Sequence, residues 1–155
     1  MARHVMCRKA SDNPYLHKDF HGALSAAIEY LDERFGEAAV REYLWQFARQ
    51  FYAPLTQALT NRGLEALEEH LRQVYQREGG QIRIDRSPDE LRIEVYACPA
   101  VTHIRRRGYP LARLFHETIA TVAKAIRYGT PFDAELIEYD KTTGHSVQRV
   151  FRKRT

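Results

Sequence analysis

Apolar residues recur every three or four positions through the first half of the chain, and then the interval shortens to two. Phe20, Leu24, Ile28, Leu31 and Phe35 form one stripe, closed by Gly36, and predict a first helix. From Glu37 a second helix carries Val40, Leu44, Phe47, Phe51, Leu55 and Leu59, with Pro54 as a kink or a break. Asn61-Arg62-Gly63 punctuates the chain before a third helix bearing Leu64, Leu67, Leu71 and Val74, which Gly79-Gly80 ends. Ile82 and Ile84 then alternate with Arg83 and Asp85. Beyond the turn Ser87-Pro88-Asp89-Glu90, the residues Leu91, Ile93, Val95 and Ala97 alternate with Arg92, Glu94, Tyr96 and Cys98. This is the period of a hairpin with one apolar and one polar face. Cys98 shares the parity of the polar set, so an uninterrupted strand turns it away from the apolar face.

A connector over residues 99–108 leads to Tyr109-Pro110, which opens a fourth predicted helix with Leu111, Leu114, Phe115, Ile119, Val122 and Ile126. Gly129-Thr130-Pro131 stops it. Residues 132–139 and 145–151 flank Asp140-Lys141-Thr142-Thr143-Gly144, whose Asp and Gly supply the turn of a second hairpin. The expected fold is α+β: three N-terminal helices followed by a ββαββ unit, its hairpins joined in one antiparallel sheet covered by helices. Residues 1–14 read as an N-terminal tail and residues 15–155 as a single domain. A chain of 155 residues, 44% of them hydrophobic, is long enough to bury one core without staples.

The net charge of +4 raises the question of nucleic acid, but its distribution argues against that partner. Basic residues gather in Arg105-Arg106-Arg107 and Arg152-Lys153-Arg154, while the helices interleave Glu and Arg as solvated faces do. No apolar run is long enough to span a bilayer and residues 1–9 lack the core of a signal peptide, so a cytoplasmic protein with no membrane partner is expected. Two cysteines make no disulfide framework, in keeping with a reducing compartment.

Cys98, at the end of a strand and followed by Pro99, is the leading candidate nucleophile or metal ligand, provided that a helix dipole or a cation lowers its pKa. The helix expected near Tyr109 is the nearest source of such a dipole. The alternative is an inert thiol that fills space. His116 is the candidate base or co-ligand, with Glu117 beside it as a further catalytic candidate. Tyr96, His103 and Arg105 are candidate substrate contacts, the arginine through its forked donors. Cys98, His116 and His145 supply one sulfur and two nitrogens, a donor set that suits a divalent metal such as zinc with an open position, although their spacing matches no compact zinc motif. His17 and His21 also lie one helical turn apart, but without a third ligand they read as an exposed first turn.

Val95-Tyr96-Ala97-Cys98-Pro99-Ala100, Gly108, Leu114-Phe115-His116-Glu117 and the closing Asp140-Lys141-Thr142-Thr143-Gly144-His145 together resemble the L-2-amino-thiazoline-4-carboxylic acid hydrolase-like family. More distantly, they resemble small-molecule-binding domains related to four-vinyl reductase. The first resemblance implies attack on the C=N carbon of a small cyclic amidine or thiazoline, with ring opening to a carbamoyl product. The second implies a pocket for an apolar molecule or a metal without turnover. Family members carry further cysteines where this chain has Phe115-His116 and His145-Ser146. The expectation is therefore a hydrolase-like enzyme acting on a small-molecule substrate. The alternatives are a noncatalytic ligand- or metal-binding domain and an interaction module whose aromatic helices supply a homodimer interface.

Overall fold

The computed structural model describes residues 18–154, so the tail expected over residues 1–14, together with Cys7 and His17, lies outside the described residues. Among the described residues, four helices precede the sheet. α1 (Asp19–Phe35) buries Ser25 and Ile28, and α2 (Glu37–Phe51) buries Val40, Leu44 and Ala48, which recur every fourth residue. The second predicted helix then divides, because α3 (Ala53–Arg62) begins afresh with Pro54 in its first turn. A proline has no N–H to offer the carbonyl four residues back and its ring crowds that carbonyl, so the chain turns at Tyr52 and the helix restarts. α4 (Leu64–Glu78) follows, with Leu64, Ala66 and Leu67 buried.

The strands are β1 (Gln81–Arg86), β2 (Glu90–Ala97), β3 (Phe132–Tyr139) and β4 (Ser146–Arg152), in the spatial order β1-β2-β4-β3 with every pair antiparallel. The fold is α+β, as expected. Leu91 pairs with Val150 and Val150 with Ala134, giving a buried row across three strands. α4 packs on β1 and β2, and α6 (Glu117–Arg127) packs on β3, so helices cover one face. Arg83, Asp85, Arg92 and Glu135 point from the opposite, open face. β3 slips register between Leu136 and Glu138, so that Glu138 pairs with Val147 and Tyr139 with Ser146. That bulge reverses the alternation and carries Tyr139 to the helix-covered side, in phase with Val95 and Ser146.

Two elements depart from the sequence pattern. Residues expected as a connector form α5 (Pro99–Arg106), an eight-residue helix that buries Ala100, Val101 and Ile104. The helix expected from Tyr109 starts instead at Glu117. The intervening backbone is held elsewhere: the buried Ser25 hydroxyl donates to the Pro110 carbonyl (2.9 Å) and accepts from the Ala112 N–H (2.8 Å). Those two groups satisfy themselves on α1 and leave the helix to begin a turn or more later.

Among the described residues, the buried hydrophobic side chains form two clusters. One lies between the sheet and α3–α4 and includes Leu59, Leu67, Leu91, Ile93 and Val150. The other joins α1, α2 and α5 with the segment before α6, through Ile28, Leu44, Val101, Ile104 and Phe115.

Candidate functional site

Cys98 stands where β2 gives way to α5, as the residue that caps the helix, with extended backbone (φ −75°, ψ 120°) and Pro99 first in the helix. This turn overrides strand parity. The thiol packs against both clusters, on the helix-covered side, and is not turned to the polar face. Burial pushes its pKa up, the nearby N–H groups of Val101 and Ala100 pull the other way, and the charge of Glu78 adds to the rise. The helix whose N-terminus lies beside the sulfur is α5 and not the one expected near Tyr109, and burial is the largest of the influences on the thiol.

Between the clusters lies a cleft of about 230 Å³ into which Cys98 faces. Leu24, Leu44, Phe47, Phe115, Ile119 and Val122 give it an apolar lining. Its other polar groups are His21, Glu78, the tyrosines Tyr52, Tyr75 and Tyr139, and Thr118, whose hydroxyl donates to the Phe115 carbonyl. His21 Nε2 sits 3.5 Å from Glu78 Oε2, and both side chains are largely buried. Burial raises all three phenols. The Tyr75 hydroxyl is driven well above its ordinary range, with the Cys98 and Glu78 charges adding, and Tyr139 is pushed up to about 12, with Cys98 and Asp140 adding and Arg105 opposing. At Tyr52 the Glu78 charge adds to desolvation. All three are neutral donors at physiological pH. A second cavity, of about 190 Å³, shares Tyr52, Val74, Tyr75, Thr118, Ile119 and Val122 with the first and ends at His70, Gln148 and Arg127.

The remaining expected site residues do not join Cys98. His116 Nε2 lies 3.7 Å from Glu117 Oε1, and its ring meets Tyr139 at 5.8 Å between centroids, so it approaches the cleft only through that tyrosine. Glu117 is a brace. Its Oε1 accepts from Arg41 Nε on α2 (3.0 Å) and its Oε2 from the Thr121 hydroxyl (2.6 Å). His145 and Tyr96 meet on the open face of the sheet, where His145 Nε2 lies 3.2 Å from Glu94 Oε1. Cys98 and His145 therefore occupy opposite sides of the sheet. Among the described residues, no group of three or more His, Cys, Asp or Glu is placed to hold a metal ion, so the zinc set Cys98, His116 and His145 is not assembled. His103 bonds Asp19 (3.0 Å), and Arg105 is exposed and donates to the Lys141 carbonyl (3.0 Å). Neither lines the cleft.

Glu117→Ala is expected to lower stability by about 1–3 kcal/mol, since a buried hydroxyl loses its acceptor and a charge-assisted bond between helices disappears. Urea unfolding checks this, and half-exposed Arg41, which water can solvate, keeps the loss from being larger.

His21 departs from the expected exposed first turn, since it lies in the cleft. Glu78 and Arg127 carried a readable signal that charge alone obscures. Glu78 falls in phase with Leu71 and Val74 along α4, and Arg127 with Ile119 and Ala123 along α6. A charged residue in register with an apolar stripe faces the interior. Compared with known proteins, the chain matches no family model and no curated sequence.

Proposed function

We propose that the protein binds a small, mostly apolar molecule in the cleft between its two core clusters. The observation that carries this reading is the lining: aliphatic and aromatic walls interrupted by a few polar groups, Cys98, Thr118, the His21–Glu78 pair and three neutral phenols. Small-molecule sites have this composition, with many apolar walls for affinity and few polar groups for orientation. The volume of about 230 Å³ favours an occupant smaller than a drug-sized ligand, whose pockets run to roughly 300–1,000 Å³. A thiol with a raised pKa is a weak nucleophile at neutral pH, which favours binding over covalent turnover.

A hydrolytic reading keeps one observation in its favour: the Cys98 sulfur lines the same cleft at the start of α5. In that reading the thiolate adds to the C=N carbon of a 2-aminothiazoline-type ring and the ring nitrogen takes up a proton. The ring C–S bond then breaks with its sulfur leaving as a thiol, and water displaces the Cys98 sulfur from the same carbon to give the N-carbamoyl product and the free Cys98 thiol. Turnover of cyclic amidine acids that is lost in Cys98→Ser separates it from binding alone.

Alkylation of Cys98 tests the binding reading, followed by mass spectrometry of its own peptide so that Cys7 does not interfere. The native thiol is expected to react more slowly than in the unfolded chain, with a rate–pH midpoint above that of a free thiol, because burial disfavours the thiolate. A compound from a panel of small aromatic molecules is expected to raise the Tm saturably and to slow this alkylation further. A panel in which no compound protects Cys98 contradicts the reading.

A further inference from the structure

Arg127 closes α6 and is only 3% exposed, yet it lines the second cavity with His70 and Gln148. Its Nη1 donates to the Ala123 carbonyl one turn back, while its buried Nε–H has no hydrogen-bond partner among the described residues. Asp133 attracts it without forming an ion pair, and burial lowers its pKa to about 10, which leaves it charged at neutral pH. A buried guanidinium with an unpaired N–H and no carboxylate bonded to it is unfavourable, and the complement that suits it is an anion. A guanidinium and a carboxylate match in shape and charge, with two parallel N–H···O bonds available.

The rest of the cavity agrees in sign. Among the described residues, no Asp or Glu lines it. His70 has its pKa lowered by burial first and by the Arg77 charge second, so it stands neutral at physiological pH and can donate or accept, as can the Gln148 amide. Leu71, Ile93, Val122 and Ile126 complete an apolar wall that suits a hydrocarbon body. Because the cavity shares Tyr75 and Ile119 with the Cys98 cleft, that body extends toward the thiol.

We propose that Arg127 binds the carboxylate of a small aromatic or aliphatic acid whose apolar portion occupies the space between α4 and α6. This rests on the small-molecule reading above and adds the sign and chemistry of the ligand. Benzoate, its neutral isostere benzamide and benzylamine are the probes, titrated by calorimetry into the wild-type chain and Arg127→Met, with Cys98 alkylation followed in parallel. Benzoate is expected to bind about tenfold or more tightly than benzamide to the wild type, and Arg127→Met to bring the two within about twofold while still binding benzamide, since one charge-assisted pair separates them. Should Arg127→Met fail to fold, the wild-type Arg127 Nε–H resonance provides the second readout and is expected to shift with benzoate and not with benzamide. Equal affinities, a preference for benzylamine, or a benzoate preference that survives in folded Arg127→Met overturns the inference and leaves the small-molecule reading standing. If none of the three probes, nor any compound of the aromatic panel, binds or protects Cys98, the small-molecule reading itself falls.

Discussion

Gly144→Val is expected to destabilise the protein by about 2–5 kcal/mol, combining about 1–2 for a side chain in left-handed backbone with about 1–3 for overpacking. Gly144 has φ +73°, and a Cβ built there lies 2.6 Å from the Cys98 Cβ and 2.9 Å from the Val101 Cβ. Those atoms are fixed close to backbone, so the neighbours have little room to give. The turn before β4 is itself tied down: the Thr142 N–H donates to Asp140 Oδ1 (2.7 Å) and the Gly144 N–H to the Asp140 carbonyl (2.8 Å). Gly108→Val is the control, because Gly108 has φ +68° and a Cβ built there meets nothing within 4 Å among the described residues, so only the backbone portion should be lost. Urea midpoints for the two variants separate strain from collision. Equal losses contradict the close packing of this turn against the Cys98 corner.

Leu91→Ala is expected to cost about 2–5 kcal/mol, the range for removing a large buried aliphatic side chain and leaving a cavity. Leu91 is fully buried, pairs with Val150 and belongs to the cluster beneath α3–α4. Its strand is central, with β1 on one side and β4 on the other, so the backbone is poorly placed to collapse into the space. Phe51→Ala removes a larger side chain that is 60% exposed, and a smaller shift in urea midpoint is expected there. A larger loss at Phe51 than at Leu91 contradicts the placement of the core.

The sheet and the long helices were legible because their periods are strong. Alternation from Leu91 to Val95 gave β2 its buried face, and the spacing of Val40 and Leu44 marked the buried side of α2, although that side continues through Ala48 and leaves Phe51, expected on the stripe, exposed. α5 was not legible, since eight residues hold only one apolar repeat, from Ala100 and Val101 to Ile104. The late start of α6 depends on Ser25, which lies 85 residues before the carbonyl it engages, and local pattern carries no record of such a contact. The site followed the same division. Cys98 was found by its place before a proline, but its burial depends on the chain turning there, which strand parity misreports. Tyr139 required the bulge after Leu136, and the apolar series Phe132, Ala134, Leu136, Tyr139 does break step at that point. His145 was grouped with Cys98 and His116 as one donor set on the expectation that the two hairpins share a sheet, which they do, but Cys98 and His145 lie on opposite sides of it.

Methyl-resolved NMR on protein labelled at Ile and Val tests the central claim most directly, through titration with the compound that raises the Tm most. The predicted result is a set of saturable shifts at Val74, Ile119 and Val122 in the cleft, with exposed Ile137 unmoved. Shifts at Ile137 with the three cleft methyls silent would contradict it.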